Sequence, residues 1–139
     1  MYKKILAGND GSDRAFKALA EAFNIAKRYQ AELHMIIVEE LPRFPGSIDE
    51  VEGEIESADR RFAPVIARSK GLAAEQGVTL QCHVVPGHPV PTIVEFVRER
   101  GFDLLVLGFM GHSAIYDRII GSTCDRLVRL APCSVIVVK

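Results

Sequence analysis

The chain predicts an α/β fold in which a parallel sheet is covered by helices on both faces. Five short apolar runs punctuate its 139 residues, at 4–8, 32–38, 79–85, 103–107 and 134–138. Segments with helical periodicity separate them, and strands that alternate with helices build parallel sheets. The runs Leu104-Leu105-Val106-Leu107 and Val135-Ile136-Val137-Val138 are almost uniformly apolar, which fits strands buried on both sides. The length suits one domain over residues 1–139.

Residues 4–8 open the sheet. Ser12 is a good N-cap for the first helix, because its hydroxyl can accept from free N–H groups. Phe16, Leu19, Phe23 and Ala26 then recur at helical spacing and define a core-facing stripe. Lys17, Glu21, Lys27 and Arg28 form the solvated face. After the strand at 32–38, Pro42 and Pro45 forbid regular structure and mark a loop. Ser47 with Glu50 three residues later has the form of a capping box, so a long helix should run to about Gln76. Gly53 and Gly71 weaken it, and Pro64 predicts a kink, since a helix-interior proline costs about 3 kcal/mol. Beyond the third strand, Pro91 lies near the start of a helix carrying Ile93, Val94, Phe96 and Val97, which Gly101 ends. A last helix opens at Ser122, with Asp125 three residues on, and stops before Pro132.

Composition narrows the function classes. Hydrophobic residues make up 48% and charged residues 25%, the range of ordinary soluble globular chains. A formal net charge of -1 gives no reason to expect a nucleic-acid or anionic-membrane partner. No apolar stretch reaches the length of a membrane span, and Met1-Tyr2-Lys3-Lys4 lacks the apolar core of a signal peptide. Cys82, Cys124 and Cys133 are odd in number and show no C-x-x-C spacing, so small apolar roles in a reducing compartment are expected. A cytoplasmic location follows from these expectations.

The chemistry concentrates at two strand ends. The fourth run ends in Leu107-Gly108, and Gly108-x-x-Gly111-x9-Gly121-Ser122-Thr123 follows. Glycines let main-chain N–H groups approach a ligand, and a helix start adds unpaired donors and a positive dipole end. That combination makes a phosphate cradle. The first strand ends in Gly8-Asn9-Asp10-Gly11-Ser12, where Asp10 either accepts from ribose hydroxyls, holds a phosphate-bound metal or shapes an Asx turn. Ligands of open parallel sheets bind beyond such carboxyl ends. Neither G-x-x-x-x-G-K-[ST] nor a G-x-G-x-x-G after the first strand occurs. His34 and His83 fall within strands and His88 in a loop, which leaves His112 as the histidine beside the cradle. No G-x-S-x-G elbow surrounds Ser113, Ser122 or Thr123, and Cys124 is spaced with Leu127 and Val128 to face the core. No catalytic nucleophile or general base stands out.

On these residues the chain resembles the universal stress protein family, over essentially its whole length. The resemblance is carried by Lys3-Lys4-Ile5-Leu6, the Asp10-Gly11-Ser12 turn and the long glycine motif. The terminal Ala131-Pro132-Cys133-Ser134-Val135-Ile136-Val137-Val138 carries it too. The glycine motif points to the family's ATP-binding branch. The fold implied is an open five-stranded parallel sheet of adenine nucleotide alpha hydrolase type, in the order 3-2-1-4-5. A homodimer is also implied, with the last strands of two subunits paired antiparallel.

Residue by residue, Gly8 and Asp10 would line the ribose and metal side, and the backbone near Val38 would meet adenine. Gly108 and Gly111 would lie near the ribose and first phosphates. Gly121, Ser122 and Thr123 would hold the outer phosphates, and Leu107 and His112 count with the nucleotide site. Phe109 and Met110 stand where small polar and basic residues are common in the family, and Arg118 and His112 are the loop's sources of positive charge. ATP is therefore the expected ligand, with AMP or another adenosine nucleotide as alternatives and magnesium or manganese as the bridging ion. The implied work is that of a nucleotide-dependent regulatory switch toward a protein partner the residues do not identify, with slow hydrolysis at most. The rival expectation is a nucleotide-free dimer acting as an interaction or chaperone-like module.

Overall fold

The computed structural model describes residues 1–40, 48–109 and 123–139, with backbone alone for 48–59. Its elements are β1 (Lys4–Gly8), α1 (Asp13–Tyr29), β2 (Glu32–Glu40), α2 (Ile48–Glu75), β3 (Leu80–Gly87), α3 (Pro89–Arg100), β4 (Leu104–Gly108), α4 (Thr123–Leu130) and β5 (Ser134–Val138). All pairings are parallel, and the sheet order is β3-β2-β1-β4-β5. Strands β1 and β4 are therefore neighbours at the centre, as the resemblance implied.

Strand alternation divides the core into two layers. Ile5, Ala7, Leu33, Met35, Ile37, Leu104 and Val106 pack with Phe16, Leu19 and Phe23 of α1. Leu6, Ile36, Leu105 and Leu107 pack on the opposite face with Ile93, Phe96 and Val97 of α3 and Leu127 of α4. Ser12 caps α1 as its sequence predicts, its side chain accepting from the Ala15 N–H at 3.2 Å. Lys17, Glu21, Lys27 and Arg28 are exposed. Among the described residues, no helix is long and apolar enough to cross a membrane.

Several elements differ from the sequence expectation. β2 runs on to Glu40, because Glu39 and Glu40 pair with Pro86 and Gly87 of an equally extended β3. α3 begins at Pro89, with His88 as N-cap. Proline is well suited to N1, where the missing N–H would have been an orphan, and Pro91 still falls in the first turn. α2 does not restart at Pro64, the position of the expected kink, but continues through it as one helix. Pro64 and Arg60, four residues before it, are both exposed, so the carbonyl that loses its donor can turn to water. Ser47 and Ser122, the caps expected for α2 and α4, lie outside the described residues.

β5 is the main correction to the burial reading. Val135, Ile136, Val137 and Val138 are only half-buried, because β5 pairs with β4 on one side and forms the sheet edge on the other. Val128 on α4 is 48% exposed, whereas Cys124 and Leu127 are buried as expected. The three cysteines are free thiols. Burial pushes the Cys82 and Cys133 thiols up, which favours the protonated form.

Candidate functional site

The carboxyl ends of β1, β2 and β4 open into one cleft of about 740 Å³, bounded by residues of α2, α3 and α4. Gly8, Asp10, Val38, Leu107, Gly108 and Thr123 all line it. Residues chosen from well-separated parts of the chain are thus gathered by the strand order. Gly111, His112, Gly121 and Ser122 lie outside the described residues, as do Met110 and Arg118.

The end of β1 shapes the floor. The Asn9 N–H donates to the Ile36 carbonyl at 3.0 Å, just past the last β1–β2 register pair, Gly8 with Ile36. Alternate residues of a parallel strand address the same neighbour. Val38, two residues beyond Ile36, therefore turns its N–H and C=O toward the side that β1 has left. That stretch of main chain faces the cleft.

Asn9 fixes the loop. It is 4% exposed, its Oδ1 accepts the Gly11 N–H at 2.8 Å, and its Nδ2 donates to Ser69 Oγ on α2 at 3.4 Å. Ser69 in turn donates to the Val65 carbonyl at 2.7 Å. A buried amide needs such partners, and here they tie the β1 turn to the wall opposite. Asp10 is exposed, and its Oδ1 accepts the Ser12 N–H at 2.9 Å. Its turn-shaping role is therefore present in the structure.

The two strand-end glycines differ in kind. A Cβ on Gly108 would stand 2.5 Å from the Arg14 carbonyl oxygen and 2.9 Å from the Ala15 nitrogen. Gly108 is thus bare first because the start of α1 packs against it. A Cβ on Gly8 would meet only a Leu107 methyl, at 3.0 Å. That neighbour can move.

The α2 wall was not legible beforehand. Arg61, Phe62 and Val65 line the cleft, together with Glu39 and Glu40 from the unforeseen end of β2 and Pro89 and Ile93 from α3. Glu39 is only 6% exposed and its Oε2 is ion-paired with Arg61, whose guanidinium lies 4.6 Å above the Phe62 ring centre. A glutamate pair continuing an apolar strand was the available signal for Glu39. Nothing in the helical periodicity of α2 singles out Arg61.

Among the described lining residues Asp10, Glu39 and Glu40 are acidic and Arg61 is basic, with Glu39 paired to Arg61. Among the described residues, no group of three or more His, Cys, Asp or Glu side chains could hold a metal ion. A cation at Asp10 would have to be shared with a ligand's own oxygens. The donor set fits magnesium in that mode, which takes one carboxylate plus phosphates and waters.

The model of the universal stress protein family matches residues 1–139. Universal stress protein MJ0531 of Methanocaldococcus jannaschii is 34% identical over 141 residues, covering 100% of this chain and 83% of that protein. Among solved structures, universal stress protein UspA from Lactobacillus plantarum has 32% identity and a TM-score of 0.87, covering 99% of this chain and 98% of the other. A universal stress protein in complex with cAMP has 26% identity and a TM-score of 0.79, with 99% and 97% covered. With a family match over every residue and relatives at this identity, the chain belongs to the universal stress protein family.

Proposed function

We propose that the cleft binds an adenine nucleotide, with ATP as the leading ligand and AMP or another adenosine nucleotide as alternatives. The observation that carries this reading is the Val38 main chain, whose N–H and C=O turn to the cleft where β1 has ended. A donor and an acceptor on one residue complement the N1 acceptor and N6 amino donor of adenine. The similar universal stress protein solved with cAMP, itself an adenine nucleotide, supports the same ligand class.

In this reading Gly8 and Asp10 border the ribose, Leu107 and Gly108 lie between ribose and phosphates, and Thr123 at the start of α4 meets the outer phosphates. Gly111, His112, Gly121 and Ser122 belong to the phosphate side by their place in the motif. A polyphosphate carries several negative charges, and magnesium or manganese shared with Asp10 neutralises part of them. The protein works as a cytoplasmic homodimer joined through β5, and nucleotide occupancy alters a surface that a regulatory protein partner reads. Among the described residues no positioned general base supports more than slow hydrolysis.

Phe109 and Met110, with only His112 and Arg118 as positive charges in the loop, favour a second reading, a nucleotide-free dimer acting as an interaction or chaperone-like module. Mass spectrometry of ligand carried through native purification, followed by titration of ATP into wild type and Gly121→Val, separates the two. Co-purified adenine nucleotide and weakened binding by the variant are expected. Equal affinities would remove the glycine motif from the site, and no binding by any nucleotide would leave the second reading standing.

A further inference from the structure

The carboxylate of Glu39 is nine-tenths buried, lines the cleft, and uses only one of its oxygens in the ion pair with Arg61. Among the described residues its Oε1 has no hydrogen-bond partner. That oxygen is not among the fully buried polar atoms, so it is open to the cleft and can accept a hydrogen bond from a ligand. Its position restricts which donor that is. Glu39 directly follows Val38, and its neighbours in the lining on this side are Phe62 and Val65, apolar surfaces suited to a base. Asp10 and Thr123, the polar groups suited to sugar and phosphate, come from β1's end and α4 instead.

We infer that Glu39 is a specificity residue whose Oε1 accepts an N–H of the exocyclic amine on a 6-aminopurine base, discriminating against 6-oxopurines. The inference rests on the nucleotide reading of the cleft. An exocyclic amine has two N–H donors, so one can meet the Val38 carbonyl while the other meets Glu39. A 6-oxopurine puts oxygen lone pairs where the amine stood, and these face a carboxylate that can only accept. Rejection arises because the carboxylate acceptor loses its donor and gains a repelling neighbour. Arg61 is a positioning residue in this scheme, holding Oε2 so that Oε1 points to the base.

Calorimetric titration of ATP, ITP and 2′-deoxy-ATP with magnesium, into wild type, Glu39→Gln and Arg61→Ala, tests this. Wild type is expected to prefer ATP over ITP by roughly tenfold or more, the scale of one charge-assisted hydrogen bond. Glu39→Gln should remove most of that preference, because its amide nitrogen can donate to the 6-oxo group. Arg61→Ala should weaken ATP binding but keep a preference, since the carboxylate remains. Should Glu39→Gln fail to fold, Glu39→Asp retracts the carboxylate by one methylene and should narrow the preference likewise. An unchanged ATP-to-ITP ratio in a folded Glu39 variant overturns the inference and leaves the nucleotide reading intact. A change confined to the 2′-deoxy-ATP ratio also overturns it, by moving the contact to the sugar. No binding of any nucleotide to wild type overturns both.

Discussion

His34 Nδ1 on β2 and His83 Nε2 on β3 lie 2.9 Å apart, with their rings tilted by only 7°. One ring must donate and the other accept, so full protonation of both breaks the bond. Phe102 meets His34 edge-on and Phe96 meets His83 edge-on, which closes the pair into an aromatic cluster. The other nitrogen of His34, Nε2, is buried without a hydrogen bond, with the Glu32 carboxylate 3.5 Å away.

A pH dependence of stability follows from this pair. Burial pushes both imidazoles below the usual 6.5, reinforced by Lys4 and Arg100 and, at His83, by His34. At His34 the Glu32 carboxylate opposes the shift but does not outweigh burial. The unfolded chain therefore binds more protons below 6.5 than the folded one, and stability rises with pH in that range. It should be complete above 6.5 and decline as pH falls from there through the lower folded values. Thermal melts between about pH 7.5 and 5, a window chosen to lie above most carboxylate titration, check this. The His34→Leu/His83→Leu variant should show a flatter profile. An identical profile would show that other groups set the slope.

Gly108→Ala should destabilise the fold by about 1–3 kcal/mol, the usual cost of forcing atoms into a packed site. The obstruction is backbone of α1, which cannot rotate away as a side chain can. Gly8→Ala meets only the Leu107 methyl and should cost less. Urea denaturation of both variants measures the difference, and equal midpoints would contradict the packing assigned to Gly108.

Asp10→Asn separates metal assistance from turn shaping. Asparagine can keep the hydrogen bond to the Ser12 N–H, so the turn itself should survive the substitution. The magnesium dependence of ATP affinity should nonetheless be blunted, because the substituted side chain loses its charge. Titrations with and without magnesium decide it. An unchanged magnesium response leaves Asp10 as a turn residue.

The β5 edge predicts assembly. Val135 to Val138 are half-buried and expose an apolar edge that proteins ordinarily cover. Pairing with a second copy would cover it, so sedimentation should show a dimer at micromolar concentration. Truncation after Cys133 should give monomer or aggregate. A stable, well-behaved monomer of the full chain would rule out the edge as an interface.

The sequence by itself determined the class of fold, because strand and helix periodicity are local and alternate cleanly from β1 to β5. It also determined the Ser12 cap, the Gly101 stop and which face of α1 enters the core, since each depends on a few adjacent residues. The long glycine motif and the strand end before it marked one side of the cleft, which Leu107, Gly108 and Thr123 line. Only the tertiary structure decided the rest. Glu39 and Arg61 are 22 residues apart in sequence and meet because α2 folds back across the end of β2. The lengths of β2 and β3 were set by pairing with each other, which no local propensity encodes. Gly108 reads as a ligand glycine along the chain, yet its bareness is required by α1, an element more than ninety residues earlier (Arg14 to Gly108). The uniform apolarity of β5 likewise could not distinguish a central strand from an edge, because apolarity records that a surface is covered and not by which neighbour.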